Sequence, residues 1–202
     1  MRDFIFDLVD LLEILFLEPF RYLDEIKEIP FARRKISNWS FSIISALSVS
    51  AGMSLLSPPY TIGTIGFLFF GFIANLIIMR FFPFFICVIL DFYAQGKGRD
   101  AKVTFLLQFS RHTILVFAIF APISLILISS GIYGRGIGIL LLIAHFLLYG
   151  YMLGRGVKYI YDLKNRDAFR FAYLALFFTF IFPLLFNIYT ASSILQSISG
   201  GF

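Results

Sequence analysis

Residues 62–90 read IGTIGFLFFGFIANLIIMRFFPFFICVIL, an apolar run broken by one charge, Arg80, and one proline, Pro83. About 20 such residues suffice to cross the ~30 Å hydrocarbon core of a bilayer as a helix. This run is longer, so it must tilt, kink near Pro83 or extend past the membrane. Working outward, further apolar stretches predict spans at about residues 38–56, 112–129, 136–154 and 171–195, the one at 112–129 kinked by Pro122 and the last carrying Pro183. None shows the strict alternation of barrel strands. The expected fold class is all-α: a polytopic membrane helix bundle of about five transmembrane helices, preceded by a cytoplasmic amphipathic helical segment.

Composition agrees. Of 202 residues, 59% are hydrophobic and 14% charged, with a mean hydropathy of +0.89, which leaves too little polar surface to cover a soluble globule of this size. A formal net charge of +5 invites a nucleic-acid reading, but the placement of charge argues against one. Eight of the twelve acids fall in the first 28 residues, whereas the basics gather at the ends of apolar runs. Arg33, Arg34, Lys35, Lys97, Arg99, Lys102, Arg111, Arg155, Lys158, Lys164, Arg166 and Arg170 fall on one side of a five-span arrangement and only Arg135 on the other. By the positive-inside rule the N-terminus is cytoplasmic and the tail from Gln196 to Phe202 lies outside. The expected location is a bacterial cytoplasmic (inner) membrane, with no cleaved signal peptide because carboxylates occupy the positions that would be basic.

Two regions follow: a cytoplasmic segment at residues 1–37 and a five-span domain at residues 38–202. In the first, Phe4, Leu8, Leu11, Leu12 and Leu15 share one helical face while Asp3, Asp7, Asp10 and Glu13 share the other. Pro19 divides it and opens a second short helix to about Glu28, where Pro30 stops it. An acidic amphipathic segment has little affinity for anionic lipid, so it is expected to dock on protein, either on basic loops such as those at Arg99, Lys102, Arg155 and Lys158 or on a partner.

Few residues carry chemistry. Arg80 sits where a charge costs ~2.5–3.5 kcal/mol to insert; an anion-binding or gating role competes with snorkelling to the interface, or with a span that ends there and leaves Phe81 to Leu90 as an interfacial helix. His145, Asn75 and Asn187 are intramembrane polar groups better suited to interhelical hydrogen bonds than, for the histidine, to proton relay or, for the asparagines, to substrate binding. Asp91, beside Lys97, Arg99 and Arg111 in sequence, suggests an interfacial ion pair. There is no metal-ligand cluster, cofactor motif, Walker loop or nucleophile–base set, and the lone Cys87 lies inside an apolar run. No enzymatic activity and no catalytic residue are expected. Ser42, Ala46, Ser50 and Ser54 recur every four residues, as do Gly150 and Gly154, making narrow faces for close helix packing. The spacing fits packing within one bundle and between copies equally well.

The layout also resembles a known family. Glu18-Pro19-Phe20-Arg21-Tyr22-Leu23 precedes five spans, Gly96-Lys97-Gly98 separates the second span from an amphipathic run, and Pro122 marks the third. Over roughly Leu15 to Leu195 this is similar to the Yip-type domain family, whose eukaryotic members bind Rab GTPases and act in vesicle traffic. Those members carry an Asp-Leu-Tyr-Gly-Pro-like motif before the first span and a Gly-Tyr pair in the third. Here neither is present, and Ser110-Arg111-His112-Thr113 stands near the latter, so Rab binding does not carry over. The resemblance is to the bacterial branch and implies a fold and a location without an established activity.

The functional expectation is therefore a non-enzymatic adaptor or membrane-organising protein, contacting the bilayer and protein partners through its N-terminal segment or cytoplasmic loops. The alternative is a small transporter or channel component, which requires a polar pathway joining Arg80 and His145.

Overall fold

A computed structural model describes residues 13, 15–22, 31–58, 60 and 62–180. All regular elements among them are helical. Helix α1 spans Phe31–Leu55, α2 Ile62–Gln95, α3 Val103–Thr113, α4 Phe120–Ser129 and α5 Arg135–Ile160, with a 3-10 segment, Ile114–Ile119, joining α3 to α4. A sixth helix, α6, covers residues 165–180. Asn187, the tail from Gln196 and most of the short helix expected after Pro19 lie outside the described residues.

Among the described residues three helical stretches are long and apolar enough to cross a membrane: Thr64–Gln95, Val103–Ser129 and Arg135–Ile160. Helix α2 runs unbroken through Pro83 for 34 residues, about 51 Å at 1.5 Å per residue, well beyond the ~30 Å of hydrocarbon. The second and third expected spans thus extend past their sequence boundaries, the third by absorbing the amphipathic stretch before it. Helix α1 begins at Phe31, so the division placed between residues 37 and 38 falls inside one continuous helix.

Helix α1 packs against α2, the 3-10 segment and α4, while α3 lies against α2 and α5. Its two faces differ sharply. Ile36, Trp39, Ile43, Ile44 and Leu47 point outward, and Ser37, Phe41, Ser45 and Ser48 are buried. This serine-rich face dilutes the apolar composition that marks a span, and it lets neighbouring backbones approach closely.

The ends of the bundle are unlike. The connections after α1 and α4 meet at one end, where Gly134 N–H donates to the Leu56 carbonyl at 2.8 Å. At the other end lie the connections at residues 96–102 and 161–164, with Lys97, Arg99, Lys102 and Lys164. The tight turn after α2 uses Gly98 at φ +73°, a conformation glycine adopts without steric cost.

The small-residue faces are buried as packing surfaces. Ser42, Ala46, Ser50 and Ser54 are all inaccessible. A Cβ on Gly150 would lie 2.9 Å from the Tyr173 ring, and one on Gly154 would lie 2.6 Å from Phe169, both on α6. Glycine is what allows α6 to approach α5.

Candidate functional site

Arg80 leaves α2 halfway along its length, and its guanidinium carbon lies 4.0 Å from the centroid of the Trp39 ring on α1. Arg111, from α3, reaches the same place. Together they line a cavity of about 670 Å³ whose other walls include Ile77, Phe81 and Phe84. The Arg80 Nη1 and Arg111 Nε atoms are buried and have no hydrogen-bond partner. Among the described residues no carboxylate pairs with either side chain; the ion pairs present are Arg21–Glu18, Lys97–Asp167 and Arg99–Asp162. A cation held over an indole face gains ~0.5–2 kcal/mol, while each unsatisfied buried donor costs ~1–3 kcal/mol. Trp39 therefore offsets only part of the penalty.

Next to Arg111, His112 is fully buried. The Tyr22 hydroxyl meets its Nδ1 at 2.6 Å and Ser37 Oγ meets Nε2 at 3.3 Å, with the Phe41 ring edge-on at 5.4 Å. Tyr22 belongs to the N-terminal segment, so this imidazole ties that segment to α1 and α3. A second tie comes from α5. Arg155 donates to the carbonyls of Phe16 at 2.7 Å and Leu17 at 3.2 Å, the carbonyls a short helical turn leaves without partners. Leu15, Pro19 and Tyr22 face inward, and Glu13, Leu17 and Phe20 face outward.

Asp91 organises the basic end. Its carboxylate accepts from the Tyr161 hydroxyl, from Lys102 N–H at 2.9 Å and from Gln95 Nε2 at 2.6 Å, while Lys102 Nζ donates to the Ile160 carbonyl at 3.0 Å. The ion pair expected of Asp91 is not what forms. Lys97 turns instead to Asp167 at 3.8 Å and Arg99 to Asp162 at 3.5 Å, and neutral donors satisfy Asp91. Burial, and then its hydrogen bond to Asp91, push the Tyr161 phenol far above its ordinary value. It therefore remains a donor up to strongly alkaline pH.

No known protein family, curated protein or solved structure matches this chain.

The other polar candidates are dispersed. His145 lies between Phe117 and Phe120; its Nδ1 meets the Leu141 carbonyl at 2.8 Å. Because a carbonyl only accepts, Nδ1 carries the proton and Nε2 is left as an acceptor without a partner. Asn75 Nδ2 donates to Ser50 Oγ at 2.9 Å, an interhelical bond between α2 and α1. Asn75 also borders a second cavity of about 190 Å³, walled by Met79, Phe82, Phe117 and Phe146, to which neither Arg80 nor His145 contributes. Cys87 is buried, and no cluster of metal-ligating side chains occurs among the described residues. Ser37 and His112 approach as a nucleophile and base would, but both are buried and neither lines these two cavities.

Sequence reading singled out Arg80 and missed its companions. Arg111 counts along the chain as one more basic residue at a helix end, and nothing along the chain singles out Trp39. Only the packing of α1, α2 and α3 brings the three together.

Proposed function

We propose that this chain is a non-enzymatic, multi-pass membrane protein of the Yip-like type, with its N-terminus and basic end in the cytoplasm, acting as an adaptor or membrane organiser. The observation that carries this reading is the seating of the N-terminal segment. Tyr22 and Arg155 hold it on the bundle while Leu17 and Phe20, 67% and 54% exposed, are presented outward beside Glu13. A fixed, outward apolar pair next to an acidic group is suited to a protein contact rather than to anionic lipid.

In this reading α1 and α6 complete five crossings. Four serines of α1 bond to carbonyls within the protein: Ser42 to Asn38, Ser45 to Ile114, Ser48 to Ala118 and Ser50 to Ala46. Lipid then meets chiefly Trp39, Leu47 and the isoleucines of this helix, and a helix whose composition is too polar to mark a span becomes suited to one. Among the described basics Arg135 alone sits at the far end, in keeping with the positive-inside rule.

Two experiments test this. With Cys87 buried, single cysteines introduced at Asp100, Lys164, Tyr60 and Arg135 report topology to a membrane-impermeant maleimide. Asp100 and Lys164 are expected to react from the cytoplasmic side, and Tyr60 and Arg135 only from the other; the same side for Asp100 and Tyr60 would refute the arrangement. For function, the double variant Leu17→Ser/Phe20→Ser is expected to leave insertion and stability unchanged while removing specific protein crosslinks formed by a photoreactive group at Glu13. An unchanged crosslinking pattern counts against the adaptor reading.

A further inference from the structure

We propose that the cavity between Arg80, Arg111 and Trp39 binds the headgroup of an anionic glycerophospholipid, with an acyl chain lying along Ile77, Phe81 and Phe84. The inference rests on the membrane-spanning character of α2 and is independent of the adaptor reading.

The two guanidiniums come from different helices and line one cavity. Each keeps a buried nitrogen without an acceptor, and no described carboxylate neutralises either. Like charges held together in a poorly solvated place repel, so the arrangement is favourable when an anion sits between them. A phosphate diester is well matched, because its oxygens accept from guanidinium N–H groups in paired, charge-assisted bonds that a single ammonium cannot reproduce.

The walls distinguish a lipid from a free anion. Ile77, Phe81, Phe84 and Trp39 are all exposed on the bundle's outer surface, where hydrocarbon rather than water surrounds a spanning helix. A hydrated inorganic ion gains nothing from them; an acyl chain does. Trp39 adds a ring of the kind that settles at the headgroup level. A zwitterionic headgroup would bring its own cation toward Arg80 and Arg111, so a net negative lipid is favoured.

Trp39 is the only tryptophan in the chain, which makes its fluorescence a direct reporter. The full-length protein is reconstituted in phosphatidylcholine nanodiscs containing increasing fractions of either brominated phosphatidylglycerol or brominated phosphatidylcholine. Half-maximal quenching is expected at about a tenfold lower mole fraction of the anionic lipid, the difference worth one charge-assisted interaction. Excess inorganic phosphate should not displace it. The preference should vanish in Arg80→Gln/Arg111→Gln and persist in Arg111→Lys. Equal quenching by the two lipids in the wild-type protein overturns the proposal, with no variant needed. Displacement by inorganic phosphate would make this a free-anion site and also overturns it. If the preference appears only after Asp24→Asn, Glu25→Gln and Glu28→Gln are introduced together, the occupant is this chain's own acidic stretch, and the lipid assignment falls.

Discussion

Gly156→Ala should destabilise the bundle by about 1–3 kcal/mol, the usual cost of forcing a methyl group into a close-packed core, and Gly156→Leu should prevent folding. A Cβ at this position would lie 2.2 Å from Phe109 Cε1, 2.5 Å from Cδ1 and 2.7 Å from Cζ. Whether the ring can retreat decides the outcome. Phe109 is fully buried, and the Tyr22 ring stands edge-on to it at 4.9 Å, with Tyr22 held in turn by His112. Movement of Phe109 would therefore disturb both the α3–α5 contact and the seat of the N-terminal segment. Gly71→Ala is the control: its Cβ would meet nothing closer than 3.8 Å, and alanine favours a helix over glycine by about 1 kcal/mol. Thermal unfolding in mild detergent should show Gly156→Ala well below the wild type and Gly71→Ala at or above it. Phe109→Leu should recover part of the loss in Gly156→Ala, because the two positions share one space. Equal stability of Gly156→Ala and Gly71→Ala would show that α3 and α5 do not meet here.

How much of this was legible along the chain differs between elements. The apolar run at residues 62–90 announces α2, and Gly150 with Gly154 announces a face narrow enough for another helix, which α6 occupies through Tyr173 and Phe169. Gly156 is as tight, yet it lies outside that four-residue repeat and faces α3 rather than α6. A repeat on one helix reveals a face but not the neighbour, so contacts made on a second face go unseen. The same holds at the cavity: Arg80 stands out because a charge in an apolar run is expensive, whereas Arg111 and Trp39 acquire meaning only from the approach of α1 and α3. On α1 the four-residue repeat of Ser42, Ala46, Ser50 and Ser54 lies on the buried face but passes over Ser45 and Ser48, which answer a fault in a different helix.

That fault is Pro122. In a regular helix the N–H of residue 122 would donate to the Ala118 carbonyl, but proline has none, and the chain before it tightens into a 3-10 segment over Ile114–Ile119. Ser48 on α1 fills the gap. Its hydroxyl donates to the Ala118 carbonyl at 2.7 Å and accepts from Ala121 N–H at 2.9 Å, while Ser45 donates to the Ile114 carbonyl at 3.0 Å. Ser48→Ala leaves one carbonyl and one N–H without these partners away from water, a loss of ~1–3 kcal/mol in a soluble core and nearer ~1–2 kcal/mol in a membrane bundle, where interhelical bonds are worth less. Pro122→Ala supplies the missing N–H. If the serine compensates for the proline, Ser48→Ala should then cost about 1 kcal/mol less in the Pro122→Ala background than alone, a coupling of the size seen between groups in one hydrogen-bond network. Unfolding free energies of the four proteins in bicelles, measured by steric trapping, give that coupling even if Pro122→Ala shifts stability by itself. An identical cost of Ser48→Ala in both backgrounds would mean that the hydroxyl merely fills space between α1 and the 3-10 segment.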